Sequence, residues 1–247
     1  MTESINRDSP VALITGSAHR LGRQIAYALA EKGFNIAINY NESRSGAREA
    51  VKHIHGLGRD AVALRADVTQ RKQVQAMVKY AIKHFKKIDV LINNAAIFVD
   101  SPLEKTTDAI WDKTLALNLK GSFLCSEIVS TFMLKRKAGR IINVASLGGM
   151  QAWSNHIPYS VSKAGVIMLT KCLARSLAPD ILVNAVAPGT IIIPGEEDSS
   201  PRHDNPEKFT LRRYGNPSDI TELVLFLATT ATYITGQTIL VDGGRYI

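Results

Sequence analysis

The chain has 247 residues, 45% of them hydrophobic, enough to bury one large core within the size range that α/β folds use as a single domain, here expected to span residues 1–247. Its two cysteines, Cys125 and Cys172, both lie in apolar helical patterns; they argue against a disulfide scaffold or a multi-cysteine metal site and for a reducing compartment. The formal charge of +8 favours anionic partners, and without a dense Lys/Arg block or aromatic-basic interleaving the expected partner is a phosphorylated small molecule, not nucleic acid.

No signal-peptide core opens the chain and no run of about 18 apolar residues occurs, so a cytoplasmic protein with no membrane partner is expected. Residues 11–15 read as a buried strand. A turn containing Gly16, Arg20, Leu21 and Gly22 follows, then a helical pattern through Ile25, Ala26 and Leu29 that stops at Gly33. A helix start offers unpaired N–H groups and a positive dipole end, and glycine there lets backbone approach a pyrophosphate. Residues 34–40 form a second strand and complete a right-handed βαβ unit. At its end, where an NAD enzyme of this layout places a carboxylate on the ribose 2′-hydroxyl, stand Asn39, Tyr40 and Asn41. With no acid at that place a 2′-phosphate is not repelled, and Ser43, Arg44 and Arg20 can bind it. NADP is therefore favoured over NAD, although Glu42 in the same loop opposes it.

Helix and strand continue to alternate: helical at 48–55, extended at 61–64, helical at 74–85, extended at 88–92. The spacing predicts a Rossmann-like, doubly wound, seven-stranded parallel sheet with helices on both faces. Asp67 and Val68 after the third strand, and Asn94 and Ala95 after the fourth, fall on the carboxyl edge where such sheets bind ligands. A long amphipathic pattern runs from 106 to 130 and ends near 135. Residues 140–145 read as a strand, placing Ser146 at its carboxyl end. Met150, Trp153 and His156, in the loop that follows, are expected to line a pocket, His156 in a packing or solvent role.

From Tyr159 the periodicity turns helical, which puts Tyr159 and Lys163 one turn apart on one face of a helix beginning just after Pro158. A nearby ammonium favours phenolate and is expected to lower the Tyr159 pKa, making it a usable acid or base. Residues 181–186 form a sixth strand; periodicity fails over 194–205; residues 220–227 form the last helix and 238–241 the seventh strand. No His/Cys/Asp group has metal-ligand spacing.

Taken together, Thr15-Gly16 with Gly22, Asp67, Asn93-Asn94-Ala95, Asn118, Ser146, Tyr159 with Lys163, Asn184 with Pro188-Gly189, and Val241-Asp242-Gly243-Gly244 resemble the short-chain dehydrogenase/reductase family, in order and spacing, from about residue 11 to 244. The resemblance implies that Tyr159 delivers a proton, Lys163 depresses its pKa and holds the nicotinamide ribose, Ser146 bonds the reacting atom, and Asn118 anchors a water. It further implies that Asp67 contacts the adenine, that backbone near Pro188, Gly189 and Ile191 holds the nicotinamide, that a lid at about 190–214 closes over the substrate, and that the chain is a homodimer or homotetramer. Arg20, where most of the family has glycine, resembles the pteridine reductase branch, as does Phe98, which would stack a pterin. Ser146 suits a carbonyl instead. The best expectation is an NADP-dependent reductase of a dihydropteridine or dihydrofolate, with Arg20, Phe98, Ser146, Trp153 and Tyr159 on the substrate. A carbonyl or 3-oxoacyl thioester reductase is the alternative, and a silent nucleotide sensor a remote one.

Overall fold

The computed structural model describes residues 8–195 and 205–247. Seven strands form one parallel sheet in the order β3-β2-β1-β4-β5-β6-β7. They are β1 Val11–Ile14, β2 Asn35–Tyr40, β3 Ala61–Arg65, β4 Val90–Asn93, β5 Gly139–Val144, β6 Ile181–Pro188 and β7 Thr238–Val241. The central strands are buried on both faces, which is why they read as continuous Val/Ile/Leu runs and not as alternating patterns.

Two cores follow from that burial. On one face α1 (Arg20–Glu31), α2 (Arg44–Gly56) and α7 (Pro217–Thr229) cover Ala12, Ile14, Ile36, Ile38 and Ile92. On the other, α3 (Arg71–Phe85), α5 (Gly121–Arg136) and α6 (Ile157–Leu177) cover Val11, Leu13, Leu91, Ile141 and Val183. Strand order reverses between β1 and β4, so the carboxyl ends of those two strands open the crevice in which ligands of such sheets lie.

Helices start earlier than apolar periodicity shows. α2, α3 and α7 each add a polar first turn, for α7 closed by a capping box in which Asn216 accepts from the Asp219 N–H and Asp219 accepts from the Asn216 N–H. The pattern expected as one helix over 106–130 is two: α4 (Asp108–Leu115), a π-turn at Ala116–Lys120, then α5. The extra residue in that turn rotates Asn118 into the protein, where it is buried. Among the described residues no helix is long and apolar enough to cross a membrane, and no cluster of His, Cys, Asp or Glu has metal-site geometry. Within the segment 190–214, residues 196–204 lie outside the described residues.

Candidate active site

The turn after β1 is held shut by polar groups from three neighbouring strands. Thr15 Oγ1 accepts from the N–H groups of Asn94 and Ala95 (2.9 and 3.0 Å), and Asn94 Nδ2 donates to the carbonyls of Thr15 and Gly16 (2.9 and 3.0 Å). Gly16 sits at φ +61°, and a Cβ on it would lie 2.9 Å from Ala95 Cα; a Cβ on Gly22 would lie 2.6 Å from the Gly16 carbonyl oxygen. Both positions therefore require glycine.

Arg20 occupies the left-handed region at φ +51°, where a side chain is strained and glycine is at ease. The family's glycine there has a conformational reason, and this chain keeps an exposed guanidinium in spite of it. Leu21 turns inward against the core on α1.

Asn39 does not face a ribose. It is buried, Oδ1 accepts from the Gly16 N–H at 3.1 Å, and Nδ2 donates to the Leu64 and Ala66 carbonyls at 3.3 and 3.1 Å. The expectation of a direct cofactor contact is corrected on this point: Asn39 shapes the glycine turn, and its amide is used up in doing so. Tyr40 packs against the core beside it. Ser43 and the exposed Arg44 stand at the start of α2. Gly46 brings that helix so near the turn that a Cβ would lie 2.6 Å from the Ala18 carbonyl.

Neither α1 nor α2 has a side-chain cap or an acid in its first turn. Two adjacent helix starts thus present open N–H groups and positive dipole ends, with Arg20 on one and Arg44 on the other. This donor set fits a diphosphate at α1 and a 2′-phosphate at α2. Asp67 is half-buried, its carboxylate accepting from Thr69 N–H at 2.9 Å, while the Val68 side chain is buried against Gly121 of α5. Gly189 donates its N–H to Val241 at 2.9 Å, and a Cβ there would lie 2.9 Å from Asp242 Cα, so Pro188 and Gly189 are pinned to the β7 edge. Ile191, half-buried, pairs with Gly215.

Across the crevice, Ser146 lies just past β5 with its Oγ accepting from Gly148 N–H at 3.1 Å, and its hydroxyl bonds Tyr159. Lys163 is only 3% exposed; its Nζ donates to the Val144 carbonyl at 2.7 Å and lies 5.7 Å from the centre of the Tyr159 ring. The spacing argument holds, but its expected consequence does not. Burial pushes the Tyr159 pKa up, with the Ser146 hydrogen bond opposing it, and Lys163 is not among the groups lowering it. Burial also acts on the ammonium, lowering Lys163 from 10.5 to about 8.

Asn118 clasps Ile97 by both backbone groups, Oδ1 accepting at 2.8 Å and Nδ2 donating at 3.0 Å, and Nδ2 also donates to Ser162 Oγ at 3.0 Å. Ser162 in turn donates to the Tyr159 carbonyl at 2.7 Å, so the π-turn holds the start of α6 in place. Phe98, 56% exposed, stands edge-on to Tyr159 at 4.8 Å and tilts over His156 at 4.2 Å; Trp153 lies parallel to Tyr159 at 6.1 Å. Arg245 lies 5.5 Å from the Trp153 ring and 5.8 Å from that of Phe209.

Many of the residues named from sequence thus lie past the carboxyl ends of the strands, one group around Gly16 and another around Tyr159, while Leu21, Asn39 and Val68 are turned into the protein. Sequence reasoning missed Thr15 as a brace, Ser162 as the link to α6, and Phe209 and Arg245 as walls. Thr15 directly precedes Gly16 and was findable; nothing in the spacing of Arg245 marked it.

The family model described as Enoyl-(Acyl carrier protein) reductase matches residues 16–245. The 3-oxoacyl-[acyl-carrier-protein] reductase FabG of Staphylococcus epidermidis is 41% identical over 240 residues, 96% of this chain and 98% of that protein. The 3-oxoacyl-[acyl-carrier-protein] reductase of Synechocystis is 41% identical over 237 residues, 95% and 96% of the two chains. Among solved structures, an actinorhodin polyketide ketoreductase variant with NADPH superposes with a TM-score of 0.91 at 31% identity, covering 98% of this chain and 99% of that one. Acetoin dehydrogenase from Salmonella typhimurium gives a TM-score of 0.87 at 32% identity over 96% of both.

Proposed function

This chain belongs to the short-chain dehydrogenase/reductase family, and we propose that it reduces the ketone of a 3-oxoacyl thioester with NADPH. The observation that carries this reading is the placement of Ser146 at the end of β5 and Tyr159 at the start of α6 beside a buried Lys163, two hydroxyls set to meet one oxygen. The activity for which the relatives are named, 3-oxoacyl-[acyl-carrier-protein] reduction, supports it. The expected pteridine branch has no such support, since those relatives are 3-oxoacyl reductases.

In this reading α1 holds the diphosphate, Ser43, Arg44 and Arg20 hold the 2′-phosphate, Asp67 meets the adenine, and the backbone at Pro188, Gly189 and Ile191 borders the nicotinamide. NADPH, when bound, supplies the hydride. Ser146 and Tyr159 donate to the substrate carbonyl oxygen as negative charge develops on it, and Tyr159 gives up its proton to that oxygen. Lys163 places a positive charge beside the phenolate so formed, and Asn118 fixes the backbone under both. The chain is a single domain, and the apolar groove lined by Leu115, Leu119, Phe123 and Leu169 is covered by a second copy in a dimer or tetramer. A monomer by light scattering at micromolar concentration would refute the last point.

A second reading, reduction of a dihydropteridine, rests on Arg20 at the glycine position and on the exposed face of Phe98. One assay separates the two. NADPH oxidation with an acetoacetyl thioester but not with dihydrobiopterin supports the first reading, and the reverse pattern replaces it with the second. No oxidation with either refutes the reductase.

A further inference from the structure

His156 is fixed on every side but one. Its N–H donates to the Trp153 carbonyl at 3.0 Å, its carbonyl accepts from Ser160 N–H at 2.9 Å, and Ser101, which bridges to it, takes the Asn155 carbonyl at 2.7 Å. Its ring lies 4.2 Å from Phe98 and 6.2 Å from Trp153. Nδ1 stands 2.9 Å from the Val99 carbonyl oxygen. That oxygen carries no proton, so Nδ1–H is the donor and, in the neutral ring, Nε2 is left with a lone pair. Nε2 has no partner among the described residues, and the ring is half-buried in a wall otherwise made of Phe98 and Trp153.

A rigid lone acceptor in an aromatic wall discriminates sharply, because a ligand that brings no donor leaves it unpaired on closure. The wall also has a length scale. Phe98 packs against Tyr159 at 4.8 Å and against His156 at 4.2 Å, so the imidazole and the proposed proton donor share one aromatic neighbour.

Resting on the thioester reading above, we propose that His156 Nε2 accepts a hydrogen bond from the first amide N–H of the substrate's pantetheine arm and thereby selects arm-borne thioesters over simple ketones. In such a substrate the amide nitrogen lies six bonds from the ketone carbon. That is about 7 Å fully extended, judged from the reach of six backbone bonds, and the wall that would guide the arm starts at Tyr159, since Phe98 packs against both Tyr159 and His156. Nothing reacts at His156; it acts by direct contact with substrate and its effect falls on KM.

The test pairs two substrates with two substitutions. Acetoacetyl-N-acetylcysteamine carries the amide, and S-ethyl acetothioacetate lacks it. In His156→Asn the amide reaches the Nδ1 position and keeps the bond to Val99 but not the Nε2 acceptor; in His156→Gln an oxygen reaches the Nε2 position. The expected result is that His156→Asn raises KM for the amide-bearing thioester about tenfold with kcat held, and changes the ethyl thioester by less than about twofold. His156→Gln should recover most of the loss. Equal losses on both substrates, no loss on either, or recovery by Asn and not by Gln would each overturn the proposal, the last by showing that His156 only supports Val99. If the wild type reduces both thioesters without preferring the amide, this inference fails while the reductase reading stands. If it reduces neither, both fail.

Discussion

Replacing Lys163 by Met tests the physics of the site with no substrate present. Burial lowers the Lys163 pKa from 10.5 to about 8, which makes its charged form about 3 kcal/mol less favourable in the folded chain than in the unfolded one. The sign is that of a base with a depressed folded pKa. Between the two values the unfolded chain binds more protons, so wild-type stability rises with pH through this window; below about pH 8 the full penalty is present. Between about pH 7 and 9.5 Lys163 should contribute a rise of about 2 kcal/mol, or about 4–8 °C in Tm for a chain of this size. The Met variant lacks this term. The measurement is Tm of wild type minus variant, cofactor-free, at fixed ionic strength across that range. Constant losses, such as the Val144 carbonyl's missing partner, cancel in the slope. A difference independent of pH would show that the ammonium is not desolvated and would remove the basis for its influence on Tyr159.

Further outcomes follow from other contacts. Tyr159→Phe should lower kcat by about 10²–10⁴ with melting unchanged, since only a hydroxyl on Ser146 is lost; retained turnover would show that another group is the acid. Arg20→Gly should relieve the φ +51° strain and raise stability by about 0.5–1 kcal/mol, while raising KM for NADPH about tenfold; calorimetry and initial rates on the same sample check both. Asn39→Ala removes three hydrogen bonds at 3.1–3.3 Å, two of them buried, and should cost about 2–4 kcal/mol, with NADPH binding weakened through the glycine turn. Normal denaturant stability in that variant would show that Asn39 is not a brace.

Sheet, helices and the adjacency of Tyr159 and Lys163 were legible because they depend on period and spacing: buried parallel strands read as apolar runs, and a Tyr and Lys four apart must share a helix face. The π-turn was not legible, since one inserted residue in a helical stretch leaves the apolar count almost unchanged while rotating Asn118 inward. Asn39 was placed correctly at the end of β2, but a strand position does not say which way an amide is used when a neighbouring turn has an open N–H. Arg245 reaches Trp153 from the chain's far end, a contact set by how the Gly243-Gly244 turn folds back on Thr210 and Leu211.

The most instructive failure concerns the sign at Tyr159. Spacing gives adjacency; it gives no depth, and depth decides the electrostatics here. In water a phenol at 10.0 is a slightly stronger acid than an ammonium at 10.5, and a proton moving from Lys to Tyr gains nothing. In the fold the order inverts: the phenol is raised and the lysine falls to about 8, so Lys163 becomes the better acid of the two. A protonated phenol is the resting state that the proposed reduction needs, because the acid is then loaded before the ketone arrives. On the proposed reading, burial keeps the acid loaded, which a phenol lowered by its neighbour would not do.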